Sequence, residues 1–361
     1  MHQSVEDIEL AREFRSMAHT SLPRAPLYSA LAAGIADDQD LYRLLLQAPA
    51  TQRLAVLLFA ATHDLVLKEP EHQLAEWYPN IAEDPRGPGD AALLPTFKRF
   101  VTERSTELQQ LLATRTTQTN EVGRCSMLLP AFGILSEEVG PLGHLDIGAS
   151  GGLNLLLDLY RYQYESGDGH QSGIVGDDST VVLHTSTTGP LPIPKAMPQI
   201  LRRCGIDQNP IDVTDDGEAL WLEACVWPDQ PDRFHRLRQA IEIARSHPPE
   251  LLAGDAVASL APAIEQIGRT AHPVVTNTWV LNYLTSEARQ AYLIELDRIG
   301  STRELSWVYA EAPALIPEMP TGPDSKDPHR TVLSMVRWRN GGRIVDHLAT
   351  CHPHGFWIQW R

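Results

Sequence analysis

From the amino end to about residue 114, apolar residues recur at three- and four-residue intervals, and no stretch alternates as a strand would. Val5 to Ala18, Leu27 to Ala36, Asp40 to Leu46, Ala50 to Leu67 and Leu94 to Ala113 are read as helices on this ground. Pro70, Pro79, Pro85, Gly87, Pro88 and Gly89 interrupt the period and mark a long connection. From Leu145 onward the pattern changes to short apolar runs separated by helical stretches, which predicts a parallel sheet with crossover helices. The predicted strands are His144 to Ile147, Ile200 to Asp207, Leu251 to Asp255, Pro273 to Asn277 and Leu305 to Glu311. Helices are predicted over Pro231 to Arg245, Ala256 to Ile267 and Ser286 to Ile299. Val332 to Arg339 and Arg343 to Leu348 flank Asn340-Gly341-Gly342, a hairpin signal, so the sheet is expected to end antiparallel, with a last strand over Phe356 to Trp360. The expected architecture is an all-α N-terminal domain over residues 1–118, reading as a cap that selects substrate or as a plain bundle, and a doubly wound α/β domain over 119–361.

A chain of 361 residues with 43% hydrophobic content has enough apolar surface for one large domain or two ordinary ones. Its formal charge of −16 disfavours nucleic acid and anionic membrane as partners, because both require clustered Lys and Arg. A small-molecule partner is expected instead. The longest apolar run, Leu54 to Leu67, is interrupted by His63 and Asp64 and is too short to cross a bilayer. The amino end, carrying Glu6, Asp7 and Glu9, does not resemble a secretion signal. Cys125, Cys204, Cys225 and Cys351 lie far apart without paired spacing, so reduced thiols and a cytoplasmic location are expected.

The phrase Leu145-Asp146-Ile147-Gly148-Ala149-Ser150-Gly151-Gly152-Leu153-Asn154 reads as a buried strand, a glycine turn and then a helix. Glycine permits a tight turn and a close backbone approach, and free helix amides offer donors to a ligand. Close packing alone would use the same residues.

Together with the phrases downstream, this one resembles the first motif of the class I S-adenosylmethionine-dependent methyltransferases, over roughly residues 119–361. That resemblance implies a Rossmann-like sheet with an antiparallel hairpin at one end and S-adenosylmethionine as cofactor. Asp146, Gly148 and Gly152 match the motif, whereas Ser150 replaces its middle glycine, and Asn154 closes the phrase. Gly205-Ile206-Asp207-Gln208-Asn209-Pro210 is similar to the family's second strand, whose terminal carboxylate accepts from the ribose diol. Asp207 is preferred for that task over Glu165, which lies closer to the glycines in sequence. The long spacing to Asp207 is explained by an inserted hairpin near 160–190, in which Tyr160, Tyr162 and Tyr164 alternate and Thr180 to Thr185 pair with them. Leu-Leu-Ala-Gly-Asp-Ala at 251–256 resembles the third motif, so Asp255 would meet the adenine amino group and the Ala256 amide the ring; a helix cap is the other reading of Asp255. Asn120 and Arg124 would open a helix beside the cofactor's amino-acid end, with Arg124 pairing its carboxylate. The whole chain also resembles a bacterial family known mainly as uncharacterised.

Methyl transfer is an in-line displacement that needs alignment and dryness more than catalytic side chains. Asn277, Thr278, Asn282 and Tyr283 stand at or beyond the end of the fourth parallel strand, where ligands of open α/β sheets gather. The Asn-Pro-Pro-Tyr sequence of nucleic-acid amino methyltransferases is missing there. A hydroxyl or ammonium acceptor would require a base, for which Glu311 and His184, both near strand ends, are the candidates. His347, His352 and His354 do not have the spacing of a metal site, and no metal is expected. Trp338, Trp357 and Trp360 are assigned to core packing. A binding protein without turnover, or a nicotinamide oxidoreductase, would use much of the same pattern. The expected activity is methyl transfer to a small molecule.

Overall fold

The structure, a computed structural model, describes residues 4–316 and 330–361. It divides into two units: Met1–Thr119 with Asp215–Arg238, and Asn120–Thr214 with Gln239–Arg361.

In the first unit the three- and four-residue period becomes helices at Val5–Ser21, Pro26–Ile35, Ala55–Lys68, Leu93–Glu103, Ser105–Thr114 and Asp216–Ala224. Each start has a local cause. Ser4 and Asp7 exchange side-chain and backbone hydrogen bonds in a capping box, Pro26 occupies the first helical turn, and Asp215 accepts from the amides of Gly217 and Glu218. Ala55–Lys68 is buried on nearly every side, as an interior helix that is apolar all round must be. The helix expected over Leu94 to Ala113 is two helices, broken where Arg104 leaves helical geometry (φ −114°, ψ 31°). The long connection is held by Arg86, which lies over the Trp77 ring at 4.0 Å and bonds Asp90 at 2.6 Å and Glu76 at 3.1 Å.

Asp215–Arg238 groups with this unit rather than with the sheet region to which its position in the sequence assigned it. The reason is its buried face: Trp221 is 1% exposed and its indole donates to the Thr116 carbonyl at 3.0 Å, while Glu218 pairs with Arg115.

The second unit is mixed α/β around one large sheet. Its strands are β1 (Leu142–Ile147), β2 (Arg161–Ser166), β3 (Gly173–Val175), β4 (Val182–Thr188), β5 (Ile200–Asp207), β6 (Glu250–Ala253), β7 (His272–Thr278), β8 (Leu305–Glu311), β9 (Thr331–Arg339), β10 (Gly342–Cys351) and β11 (Trp357–Trp360). Among the described residues their order is β3-β2-β4-β11-β10-β9-β8-β7-β1-β5-β6. The run β6-β5-β1-β7-β8 is parallel. β9 and β10 then turn antiparallel across Asn340 and Gly341, whose φ values of 52° and 74° suit a two-residue hairpin.

β1 is buried along its whole length because both faces are covered. Leu145 and Ile147 pack with residues of Leu260–Ile267 and Ser286–Gly300, and His144 meets Phe132 of the helix Cys125–Val139 at 4.8 Å on the other face. The expected inserted hairpin takes a different form. β2 and β4 pair parallel, β3 turns back antiparallel on β2, and β4 joins β11, so the insertion extends the main sheet. Tyr162 and Tyr164 are on a strand as expected, with Tyr160 just before it, yet side-chain alternation carries no information about strand direction. Among the described residues no helix is long and apolar enough to cross a membrane. All four cysteines are free thiols.

Gly205 of β5 sits where the chain crosses closest to the loop after β1. A Cβ there would come within 2.5 Å of Ala149 Cβ and 2.7 Å of Leu251 Cδ2. Gly205→Val is therefore expected to destabilise the protein by about 1–3 kcal/mol, the usual cost of overpacking. Guanidinium unfolding would show this as a lower midpoint at unchanged slope, and an unchanged midpoint would mean that the crossing has room to spare.

Candidate functional site

The chain leaves β1 through three left-handed residues in five positions: Gly148 at φ 73°, Ser150 at φ 52° and Gly152 at φ 70°. Glycine adopts this conformation freely, whereas serine there bears a steric cost. At Gly148 the side-chain space is already filled, since a Cβ would lie 2.5 Å from Val280 Cγ2. The loop's amides are turned inward. Gly148 and Ala149 donate to the Ile206 carbonyl at 2.8 and 3.2 Å, Gly152 donates to Ala149 at 2.7 Å, and Ser150 donates to Asp207 Oδ2 at 2.8 Å. The helix expected after the glycines is a short 3-10 segment, Leu153–Leu159, bent at Leu156. It therefore offers no helical row of free amides.

Asp207, at the end of β5, uses its other oxygen to accept from the Asn209 amide at 2.8 Å. Its carboxylate thus closes both its own turn and the neighbouring glycine loop. Gly254, just past β6, donates to the Asp207 carbonyl at 2.9 Å, and Asp255 beside it accepts from the amides of Val257 and Ala258 at 2.9 and 3.0 Å. Asp255 thus closes the turn that precedes the helix Leu260–Ile267, whose N-cap is Ser259, and it remains exposed, while Ala256 is buried. Asn120 bonds the Ala149 carbonyl at 2.9 Å through Nδ2, but its Oδ1 is buried without a partner, as is Ser150 Oγ.

A buried polar group lies beneath these loops. On one face of the sheet Thr276 donates to Asp146 at 2.6 Å and lies 2.8 Å from His144 Nε2. Because one hydroxyl has one proton, His144 donates from Nε2 whenever Asp146 is ionised. Burial pushes Asp146 up to about 7, against the opposing Thr276 hydrogen bond and Arg124 charge, and pushes His144 down to about 3. On the other face Asn277 Nδ2 donates to Glu311 Oε1 at 2.7 Å, and Asn277 Oδ1 accepts from Trp307 Nε1 at 2.5 Å. The amides of Val280 and Leu281 reach the same Glu311 oxygen at 2.8 and 3.3 Å. They do so because Trp279 adopts φ 56°, a strained value for so bulky a residue. Glu311 Oε2 is buried without a partner, and burial pushes this carboxyl up to about 7. Arg124 lies near both acids and donates to the carbonyls of Thr278 at 2.8 Å and Pro353 at 3.1 Å.

The sequence-derived residues therefore divide. Asp146, Gly148, Ser150, Gly152, Asp207, Asp255, Ala256, Asn277 and Glu311 stand on β1, β5, β6, β7 and β8 or the connections at their ends, and Asn120 and Arg124, just before the helix Cys125–Val139, reach the same edge by bonding the Ala149 and Thr278 carbonyls. Asn154 is buried in the 3-10 segment, where its side chain meets the Cys125 thiol at 3.5 Å. His184 is not brought to this group; it is exposed on β4, which β11, β10, β9, β8 and β7 separate from β1. Glu165 is exposed on β2, farther still along the sheet, whereas Asp207 directly adjoins the glycine loop. Tyr283 is 75% exposed. Of the carboxyl-end histidines, His354 lies 3.5 Å from Glu121 and His352 stacks on Phe356 at 4.6 Å. Trp338 and Trp360 are buried, while Trp357 is 37% exposed. Sequence reading missed Thr276, His144 and Trp279; the register that sets Asp146 beside Thr276 is a long-range fact with no local signal.

A family model described as an uncharacterized protein conserved in bacteria (DUF2332) matches residues 11–360. No curated protein and no solved structure matches the chain.

Folded Glu311 keeps its proton up to about pH 7, whereas the unfolded chain releases it near 4.5. The folded state therefore binds more protons in that interval, and this group's contribution to stability declines as pH rises from about 4.5 to 7. Glu311→Gln removes that decline. Denaturant unfolding at about pH 5 and pH 8 should show the variant gaining on the wild type at the higher pH; a difference independent of pH would mean that Glu311 is ionised in the fold.

Proposed function

The chain belongs to that bacterial family, and from the geometry of this member we propose that it binds S-adenosylmethionine and transfers its methyl group to a small-molecule acceptor. What carries the reading is the common address of Gly148–Gly152, Asp207 and Asp255. All three follow the carboxyl ends of β1, β5 and β6, adjacent parallel strands in a row. Strand addition reverses direction at β1, with β5 on one side and β7 on the other, and such switch points are where open α/β sheets bind ligands. We read the second unit accordingly as a doubly wound, Rossmann-like domain.

The residues fit this ligand in three respects. Asp207 is partly exposed, and a carboxylate that already accepts two amides still has lone pairs for a vicinal diol. Ser150 Oγ and Asn120 Oδ1 are buried polar atoms still lacking partners, as expected where a polar ligand completes the bonding. Four of the five amides of residues 148–152, those of Gly148, Ala149, Ser150 and Gly152, are already bonded within the protein, which favours a ligand without phosphate, and hence S-adenosylmethionine over a nicotinamide or other nucleotide.

Bound there, S-adenosylmethionine would supply an electrophilic methyl group on a sulfonium. Asp207 would hold the ribose, Asp255 and the Ala256 amide the adenine, and Asn120 and Ser150 the amino-acid end. Arg124 donates to backbone carbonyls on two segments and would hold these walls together. Asn277 and Glu311, buried at the ends of β7 and β8, would present a dry polar surface where donor and acceptor meet.

Calorimetric titration of the full chain with S-adenosylmethionine, S-adenosylhomocysteine, NAD and ATP tests the reading. The first two are expected to bind with micromolar affinity, and Asp207→Asn should weaken both at least about tenfold, which corresponds to ~1.4 kcal/mol. A thermal melt would verify that the variant is folded. Failure of the first two to bind the intact protein overturns the proposal, and binding of NAD or ATP in their place would point to a phosphate-bearing ligand.

A further inference from the structure

Glu311 is held in an unusual way for a buried acid. One oxygen accepts from Asn277 Nδ2, Val280 N and Leu281 N, while the other, Oε2, is buried and lacks a partner. The side chain is 1% exposed. Three donors on a single oxygen fix the carboxyl plane, so the direction of Oε2 is set in advance. Keeping those donors in place requires the left-handed turn at Trp279, a cost the fold bears at this position.

We propose that Glu311 is the counter-ion for a positively charged organic group of the bound ligand, a sulfonium or an ammonium, received at Oε2. The proposal rests on the methyl-donor reading above and specifies which feature of that ligand the buried acid recognises. Its warrant is charge balance. Asp146 and Glu311 are buried carboxyls that draw on the same guanidinium, Arg124, which is also engaged with two backbone carbonyls. A buried carboxylate without full compensation is costly, so this oxygen holds either a proton or another cation. Among the described residues, Tyr292, from the helix Ser286–Gly300, and Tyr309 on β8 also feel the charge of Glu311; burial raises Tyr292 well above the ordinary tyrosine value and Tyr309 up to about 12, so both stay neutral and supply no positive charge. A cationic ligand would displace the proton, which passes to the buffer.

The test is calorimetry near pH 7 in two buffers of different ionisation enthalpy, which counts protons exchanged on binding. With Glu311 near half-protonation, S-adenosylmethionine is expected to release about half a proton, falling toward none by about pH 9. Glu311→Gln, nearly identical in shape and checked by its melt, should abolish that release and weaken S-adenosylmethionine about tenfold or more. S-adenosylhomocysteine separates the two sources of charge, because it keeps the ammonium but lacks the sulfonium. Release with both ligands identifies the ammonium, and release with S-adenosylmethionine alone identifies the sulfonium. Binding of both without any proton release that depends on Glu311 overturns this proposal and leaves the methyl-donor reading standing; absence of binding overturns both.

Discussion

The geometry at the carboxyl edge of the sheet depends on one backbone constraint: the chain must leave β1 through left-handed residues at 148, 150 and 152. That path turns the amides of the loop back toward β5, where the Ile206 carbonyl and the Asp207 carboxylate receive them. Asp207 is thereby fixed against the loop, and Asn209 and Gly254 are fixed to Asp207. Remove the left-handed turn and the ends of β1, β5 and β6 lose the bonds that set their spacing. The serine at position 150 tolerates a conformation that glycine would adopt without cost, and its buried hydroxyl is what the position gains in exchange.

The same edge is a place of stored expense. Asp146 and Glu311 lie on opposite faces of β1 and β8, the two strands that flank β7, each buried and each raised toward neutrality by desolvation. Each is tied to its surroundings all the same, because an apolar side chain in place of Glu311 would leave Asn277 Nδ2 and the Val280 and Leu281 amides without their acceptor, and one in place of Asp146 would do the same to Thr276. Glu311 is supported by Asn277, which is itself held by Trp307 and by Tyr292 at 3.4 Å. A chain of buried donors this specific orients its members more than it stabilises the fold.

Much of the parallel core was legible in the sequence because it is local. Ile200–Asp207 and Leu305–Glu311 are apolar runs of strand length bounded by turn residues, and each is a strand over those same residues. Asp207 was preferred to Glu165 from the pattern of its strand, and the parallel pairing of β5 with β1 sets Asp207 beside the glycine loop, a placement that local pattern does not contain. What failed to show was non-local. The Leu-rich stretch after the glycines has helical composition, yet Tyr160 donates its hydroxyl to the Leu153 carbonyl at 2.7 Å and Tyr162 to the Leu157 carbonyl at 2.5 Å. Those carbonyls are the acceptors that a longer α-helix would have used. His184 looked like a base at a strand end, but β4 runs on past it to Thr188, and five strands intervene between β4 and β1.

The division of the chain bears on how it is made. The first unit consists of two pieces, Met1–Thr119 and Asp215–Arg238, separated by 95 residues of the second, and the second is likewise interrupted. As synthesis proceeds from the amino end, β1 emerges well before β7, its partner on one side, and the helix Asp216–Ala224 is produced only after β1 and β5. The first unit is not complete until residues 120–214 of the second have been made, and the second is not complete until residues 215–238 of the first have been made. A nascent chain arrested after residue 214 would present Leu112, Leu108 and the other apolar residues of the first unit without the helix that carries Trp221 and Leu222. The order of synthesis therefore does not deliver one finished unit and then the other, because the segments of the two are interleaved.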